Sequence, residues 1–221
     1  LAMCDSDAGS RAPAAAFGDL RPRLPLFPLG TVLFPQGLLT LKVFEARYLD
    51  LIGTCLRQQQ PFGVVTLTQG HEVGHAGETV RFEPQGCLAE VIDCDSEQTG
   101  ILQVRCRGTR RFDLGRAHQA ADGLWHADAT LQPDDAPLPL PDELRACADA
   151  LGRVITALAE RDQQPFLAPH ALDDGNWVAN RWSEILPIPL ATRHKLMTLP
   201  DPLARLRLVD GFLRRHGIIR D

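Results

Sequence analysis

The string His71-Glu72-Val73-Gly74-His75 has the residue types and spacing of a known catalytic pattern. Two histidines four positions apart on a helix can present both imidazoles to one zinc ion. The glutamate between them then acts as general base for the metal-bound water. That chemistry needs the helix. Gly70, Gly74 and Gly77 fall within eight residues, and each glycine costs about 1 kcal/mol against alanine in a helix interior. The longer metalloprotease pattern would place a further histidine downstream, but positions 78 and 81 are Glu78 and Arg81. The segment is therefore predicted to be a loop between two strands. Zinc-dependent hydrolysis through His71, Glu72 and His75 is kept as a minor alternative, and neither a metal nor a cofactor is expected.

Lysine chemistry can be checked in two places, because Lys42 and Lys195 are the only lysines. A phosphate-cradling loop needs Gly-Lys-Ser/Thr, yet Leu41 precedes Lys42 and His194 precedes Lys195. A Ser–Lys dyad would have to use Ser6, Ser10, Ser96 or Ser183. None of these has the strained, glycine-flanked setting of an activated serine. The acid pairs Asp134-Asp135 and Asp173-Asp174 fall in predicted loops, where solvated linker residues or helix caps are expected. Cysteines at 4, 55, 87, 94, 106 and 147 contain no C-x-x-C pair, so buried reduced thiols are expected rather than a zinc knuckle or a redox motif.

The 221 residues carry 23 basic against 28 acidic side chains, a formal charge of −5. That balance disfavours a general nucleic-acid or anionic-membrane binder, which needs a basic face. No stretch approaches the about 18 apolar residues of a membrane-crossing helix. The start lacks the basic and apolar segments of a secretory signal, so a cytoplasmic protein is expected.

Residues 1–20, rich in Ala, Gly, Ser and Asp, are expected to form a flexible leader. Residues 21–132 read as β-rich with one helix. An extended piece at 24–30 precedes strands at 31–35 and 38–44, and a helix follows from 45, with Tyr48, Ile52, Cys55 and Leu56 on one face. Strands are then expected at 62–68, 78–82, 86–94, 101–107, 110–114 and 124–131, most of them separated by Gly or Asp/Ser turns. Four prolines at 133, 137, 139 and 141 mark a stiff linker over 133–141. Residues 142–221 read as helical. A helix of about 20 residues carries Leu144, Ala148, Leu151, Ile155 and Leu158 on one stripe. A second spans 176–186, a short one lies near 190–199, and the last starts at Asp201-Pro202 and ends at Gly217. No internal repeat is present.

The run Leu24-Pro25-Leu26-Phe27-Pro28-Leu29-Gly30-Thr31-Val32-Leu33-Phe34-Pro35, continuing to Leu41-Lys42-Val43-Phe44-Glu45-Ala46-Arg47-Tyr48, resembles the opening signature of the Lon protease amino-terminal domain. Gly86 to Val91 and Gly108 to Phe112 are similar to that domain's next two blocks. Leu186-Pro187, Lys195-Leu196 and Asp201 to Leu206 are similar to its end. The resemblance covers about residues 22–216. It implies an α+β fold, a PUA-like β pseudo-barrel with one helix, followed by a small helical bundle. It also implies a stand-alone substrate-binding domain without the ATPase or the Ser–Lys peptidase.

The expected function is thus a non-enzymatic polypeptide-binding module for unfolded or exposed segments, with a protease or chaperone component as a further partner. Phe34, Pro35, Phe44, Glu45, Arg47 and Tyr48 are the candidate peptide-binding residues, because they fall in the strongest block of the resemblance. RNA binding, suggested by PUA-like architecture, would have to use Arg105, Arg107, Arg110, Arg111 and Arg116. Strand alternation divides those arginines between faces, which favours a solvated surface over a nucleic-acid site.

Overall fold

A computed structural model describes residues 19–220, so the expected leader lies outside the described residues up to position 18. Strand β1 (Leu20–Leu29) leads through a buried loop into β2 (Leu38–Val43) and helix α1 (Ala46–Gln58). Strands β3 (Phe62–Gln69), β4 (Arg81–Gln98), β5 (Ile101–Leu114), β6 (His118–Gln119) and β7 (Trp125–Leu131) follow. The sheet order is β2-β5-β4-β3-β1-β7-β6, and β5 pairs also with β7. Five strands, β5-β4-β3-β1-β7, therefore close into a ring through Phe112 opposite Leu131, Asp113 opposite Thr130 and Leu114 opposite Ala129. The first half of β5 extends beyond that closure and pairs with β2, from Leu38 opposite Arg107 to Val43 opposite Leu102.

Two long strands replace four short ones expected from the sequence. Gly86 and Gly108 have the look of turn signals, yet each sits inside a strand. A Cβ on Gly86 would lie 2.2 Å from the carbonyl oxygen of Val64, and one on Gly108 would lie 2.1 Å from that of Phe34. Both glycines mark a close backbone approach rather than a turn. Residues 31–35, expected as a strand, form a loop. Its Val32, Leu33 and Phe34 are buried instead of pairing with a neighbour.

Helix α1 places Tyr48, Leu51, Ile52 and Cys55 on its buried face. Leu56, expected on that stripe, is exposed, because the i, i+3, i+4, i+7 set already fills the contact with the sheet. Gln59 in the left-handed conformation ends the helix, with Pro61 just beyond. The barrel core gathers α1 with Phe27, Leu41, Val43, Phe62, Val104 and Cys106, and the rings of Phe27 and Tyr48 stack at 3.8 Å.

The second half contains a 3-10 turn at Asp142–Leu144, then α2 (Arg145–Ala159), α3 (Gly175–Ile185), α4 (Leu190–Thr198) and α5 (Pro202–Arg215). Helix α2 has 15 residues, shorter than expected. Helix α3 is buried on every side from Gly175 to Ser183, including Asn176, Asn180, Arg181 and Ser183. Its Trp177, Val178 and Trp182 form the centre of a core shared with α2 and α5. Asp201 caps α5 by accepting from the N–H of Leu203 at 2.9 Å, with Pro202 at the first helical position. Among the described residues no helix is long and apolar enough to cross a membrane.

Candidate functional site

Strand β2 stands at one end of the sheet order, with β5 as its strand partner. In an antiparallel pair only alternate residues direct N–H and C=O toward the partner, so the residues between point theirs to the open edge. A cavity of about 210 Å³ runs along that edge, lined by Phe27, Leu29, residues 40–45, Tyr48, Glu72 and Val73. The stacked Phe27 and Tyr48 lie at its base. Phe44 and Val73, two large apolar residues 50% and 43% exposed, stand on it from the end of β2 and from the loop between β3 and β4. The volume is below the about 300 Å³ at which drug-sized ligand pockets begin, and suits a single apolar side chain.

Glu45, Arg47 and Tyr48 come together at the head of α1. Arg47 Nη2 lies 3.1 Å from the Glu45 carboxylate, its Nη1 donates to the Gly123 carbonyl at 2.8 Å, and its guanidinium lies over the Tyr48 ring. It thus ties α1 to the turn before β7. Burial pushes the Tyr48 hydroxyl up to about 12, the neighbouring Arg47 charge opposing that rise. Tyr48 supports the cleft through packing, and Glu45 contributes a carboxylate to its lining.

Phe34 and Pro35 lie elsewhere. Both are buried in the joint between the barrel and the helices, where Phe34 packs with Val32 and Met197. The Pro35 carbonyl accepts from Arg181 of α3 at 2.7 Å, and Arg181 also pairs with Glu184 at 2.7 Å. Burial pushes the Glu184 carboxyl up to about 7 against the pull of Arg181 and Arg193. Arg111 of β5 reaches across to the Met197 carbonyl at 2.6 Å and to Asp135, and Asp135 accepts from Asn180 at 3.0 Å. Of the acid pairs expected to be solvated linker residues or helix caps, the first thus supplies a half-buried anchor in Asp135. Asp174, by contrast, caps α3 by accepting from the N–H of Asn176 at 2.9 Å.

The His71 to His75 segment is a loop between β3 and β4. Glu72 accepts from the N–H of Gly30 at 2.6 Å, and His71 contacts Glu78. This arrangement differs from the helical face on which a zinc-binding pair depends. The five arginines of the RNA alternative are divided by the structure. Arg111 is buried, Arg110 pairs with Asp19, and the exposed Arg105 and Arg107 stand opposite Asp93 and Glu90 on β4. With Arg111 inside and Arg105, Arg107 and Arg116 outside, the five do not all lie on one face. A wider groove of about 790 Å³ follows the outer side of α2 past Arg145, Asp149, Arg153 and Glu160, a lining of mixed charge with no strand edge beside it.

Sequence reasoning missed Val73, Glu72 and Leu29 as cleft residues. The only signal for Val73 is an apolar residue inside an otherwise polar, glycine-rich loop.

Residues 23–215 match the family model described as the ATP-dependent protease La (LON) substrate-binding domain. The crystal structure of a Lon N-terminal domain protein from Xanthomonas campestris is similar at 30% identity and a TM-score of 0.67, over 87% of this chain and 99% of that one. The N-terminal domain of Mycobacterium avium complex Lon protease shares the fold at 15% identity and a TM-score of 0.56, over 86% of this chain and 96% of that one. No protein with a curated description matches the chain.

Proposed function

The chain belongs to the ATP-dependent protease La (LON) substrate-binding domain family, and from that premise we propose that it is a non-enzymatic module that binds unfolded or exposed polypeptide segments. The observation that carries this reading is the cleft beside β2, where exposed Phe44 and Val73 stand over an apolar base. Exposed large apolar residues clustered on one concave feature are a mark of an interaction site. A polypeptide supplies the two things that such a cleft takes, apolar side chains and backbone hydrogen-bonding groups. Of the candidate residues, Phe44, Glu45 and Tyr48 line the cleft, Arg47 holds Glu45 and Tyr48 together, and Phe34 and Pro35 lie apart, in the joint between barrel and helices.

The two lysines support the absence of ATPase and Ser–Lys peptidase chemistry from this stretch of chain. Lys42 lies on β2 after Leu41, and Lys195 lies on α4 after His194, neither in the setting that those chemistries require. The partners in this reading are exposed polypeptide segments, handed to or received from a protease or chaperone component in the cytoplasm. The test is a fluorescence anisotropy titration with labelled, reduced and carboxymethylated α-lactalbumin. Saturable binding at micromolar protein is expected. An unchanged signal up to high micromolar protein would sink the reading.

A further inference from the structure

Two features of β2 bear on how a polypeptide would be held. The first is its open edge. Its backbone is a ready-made template for one more strand, since alternate residues turn donors and acceptors away from β5. The cavity is lined in sequence by residues 40–45, so it follows the length of β2. The second is the chemistry around it. The apolar pair Phe44 and Val73 shares the lining with the carboxylates Glu45 and Glu72. Their hydrogen bonds, from Arg47 to Glu45 and from the Gly30 N–H to Glu72, each involve one oxygen. Lys42, the one basic residue of the lining, sits on β2 itself, on its exposed side.

We propose that an extended polypeptide joins the sheet as an added strand along the open edge of β2, seating one large apolar side chain between Phe44 and Val73 and a Lys or Arg beside it against Glu45 and Glu72. Main-chain pairing supplies affinity that is independent of sequence, while the single apolar seat and the acidic rim choose the register. This mode suits a module that must take many different chains. The cavity holds one side chain, so recognition repeats along a substrate wherever an apolar residue with a basic one two positions away becomes exposed. The proposal deepens the polypeptide-binding reading and rests on it.

The test uses the full chain and a fluorescein-labelled short peptide of alternating Thr and Lys around a central Phe, read by anisotropy. Backbone N-methylation at alternate residues in one phase removes the donors facing β2, and in the other phase only those facing solvent. One phase is expected to weaken binding by about tenfold or more and the other by less than about twofold. Phe44→Ser, Val73→Asp, and exchange of the peptide lysines for glutamates are each expected to weaken it by about tenfold. Leu208→Ser, on the exposed side of α5, is expected to change nothing. Unaltered thermal unfolding of Phe44→Ser and Val73→Asp would separate lost binding from lost folding. Equal affinity for both methylated phases, or binding indifferent to Phe44→Ser and Val73→Asp, would overturn the proposal. If carboxymethylated α-lactalbumin still binds in that case, only strand addition fails. If it too leaves wild type unbound, the polypeptide-binding reading fails as well.

Discussion

A Cβ added to Gly108 would lie 2.1 Å from the carbonyl oxygen of Phe34, so the middle of β5 and the turn that follows β1 touch backbone to backbone. Two hydrogen bonds hold the contact, from the Gln36 N–H to the Gly108 carbonyl at 2.8 Å and from the Gly108 N–H to the Gly37 carbonyl at 2.9 Å. The same turn carries the Pro35 carbonyl to Arg181. The barrel and the helical half thus meet beside one glycine.

Gly108→Ala is expected to destabilise the fold by about 3 kcal/mol, at the upper end of overpacking costs, because the obstacle is backbone and cannot rotate away. Gly100→Ala is the comparison. Gly100 has φ +80°, and a methyl group added there would meet nothing within 4 Å, so about 1 kcal/mol of left-handed strain is expected. Urea denaturation of both variants checks this, and a Gly108→Ala cost no greater than that of Gly100→Ala would contradict the close contact.

Arg181→Met leaves the Pro35 carbonyl without its donor and Glu184 without its directly paired cation, with Arg193 as the remaining one nearby, and a loss of about 3–5 kcal/mol is expected from a broken buried pair. The double variant Arg181→Met/Glu184→Leu is expected to be more stable than Arg181→Met alone, since it removes the stranded polar carboxyl as well. A double-mutant cycle by chemical denaturation measures the difference.

Glu184 also gives the fold a pH dependence. Its carboxyl is pushed up to about 7 in the folded protein, from a usual value of 4.5. Between those two values the unfolded chain has released a proton that the folded chain still holds, so stability falls as pH rises through that window and levels off above it. Glu184→Gln is expected to flatten this fall, measured as the difference between wild-type and variant melting across the window from 4.5 to about 7. A difference that does not vary with pH would contradict it.

The thiols give a chemical readout of burial. Burial pushes Cys87, Cys106 and Cys147 up to about 12 and Cys55 up to about 11, so the reactive thiolate is scarce at neutral pH. Cys94 is half-buried and less shielded. In a Cys4→Ser background, a thiol reagent at neutral pH is expected to label Cys94 first and the other four only on unfolding. Peptide mapping of the labelled protein checks the order.

The parts of the fold that were legible in the sequence are those set by local signals. Asp201-Pro202 marks the start of α5 because capping and proline geometry act within one turn. The stripe through Tyr48, Ile52 and Cys55 marks α1 because helical period is local. Gly86 and Gly108 mislead because a sequence does not distinguish a glycine that bends the chain from one that lets another strand approach. Helix α3 hides its centrality for a different reason. Asn180 and Arg181 look solvent-facing until Asp135 and the Pro35 carbonyl, both distant in sequence, accept hydrogen bonds from them. The cleft was half legible. Phe44 and Glu45 lie in one recognisable block, while Val73 reaches them only after β3 has crossed the barrel.

The joint has one more property that follows from its acceptors. Arg181 and Arg111 cross the joint to the carbonyls of Pro35 and Met197, while Arg193 and Arg205 brace the helical half itself through the carbonyls of Ser183, Leu186, Leu196 and Leu199. Every amino acid brings a carbonyl, so the accepting positions can change identity without losing these bonds, and only the arginines are irreplaceable. A fork with several donors also spans two carbonyls at once, which a lysine ammonium does with less directional control. The scarcity of lysine in this chain therefore has a counterpart in its architecture. The two halves are fastened by a lock whose keys are specified residue by residue and whose sockets are free to drift.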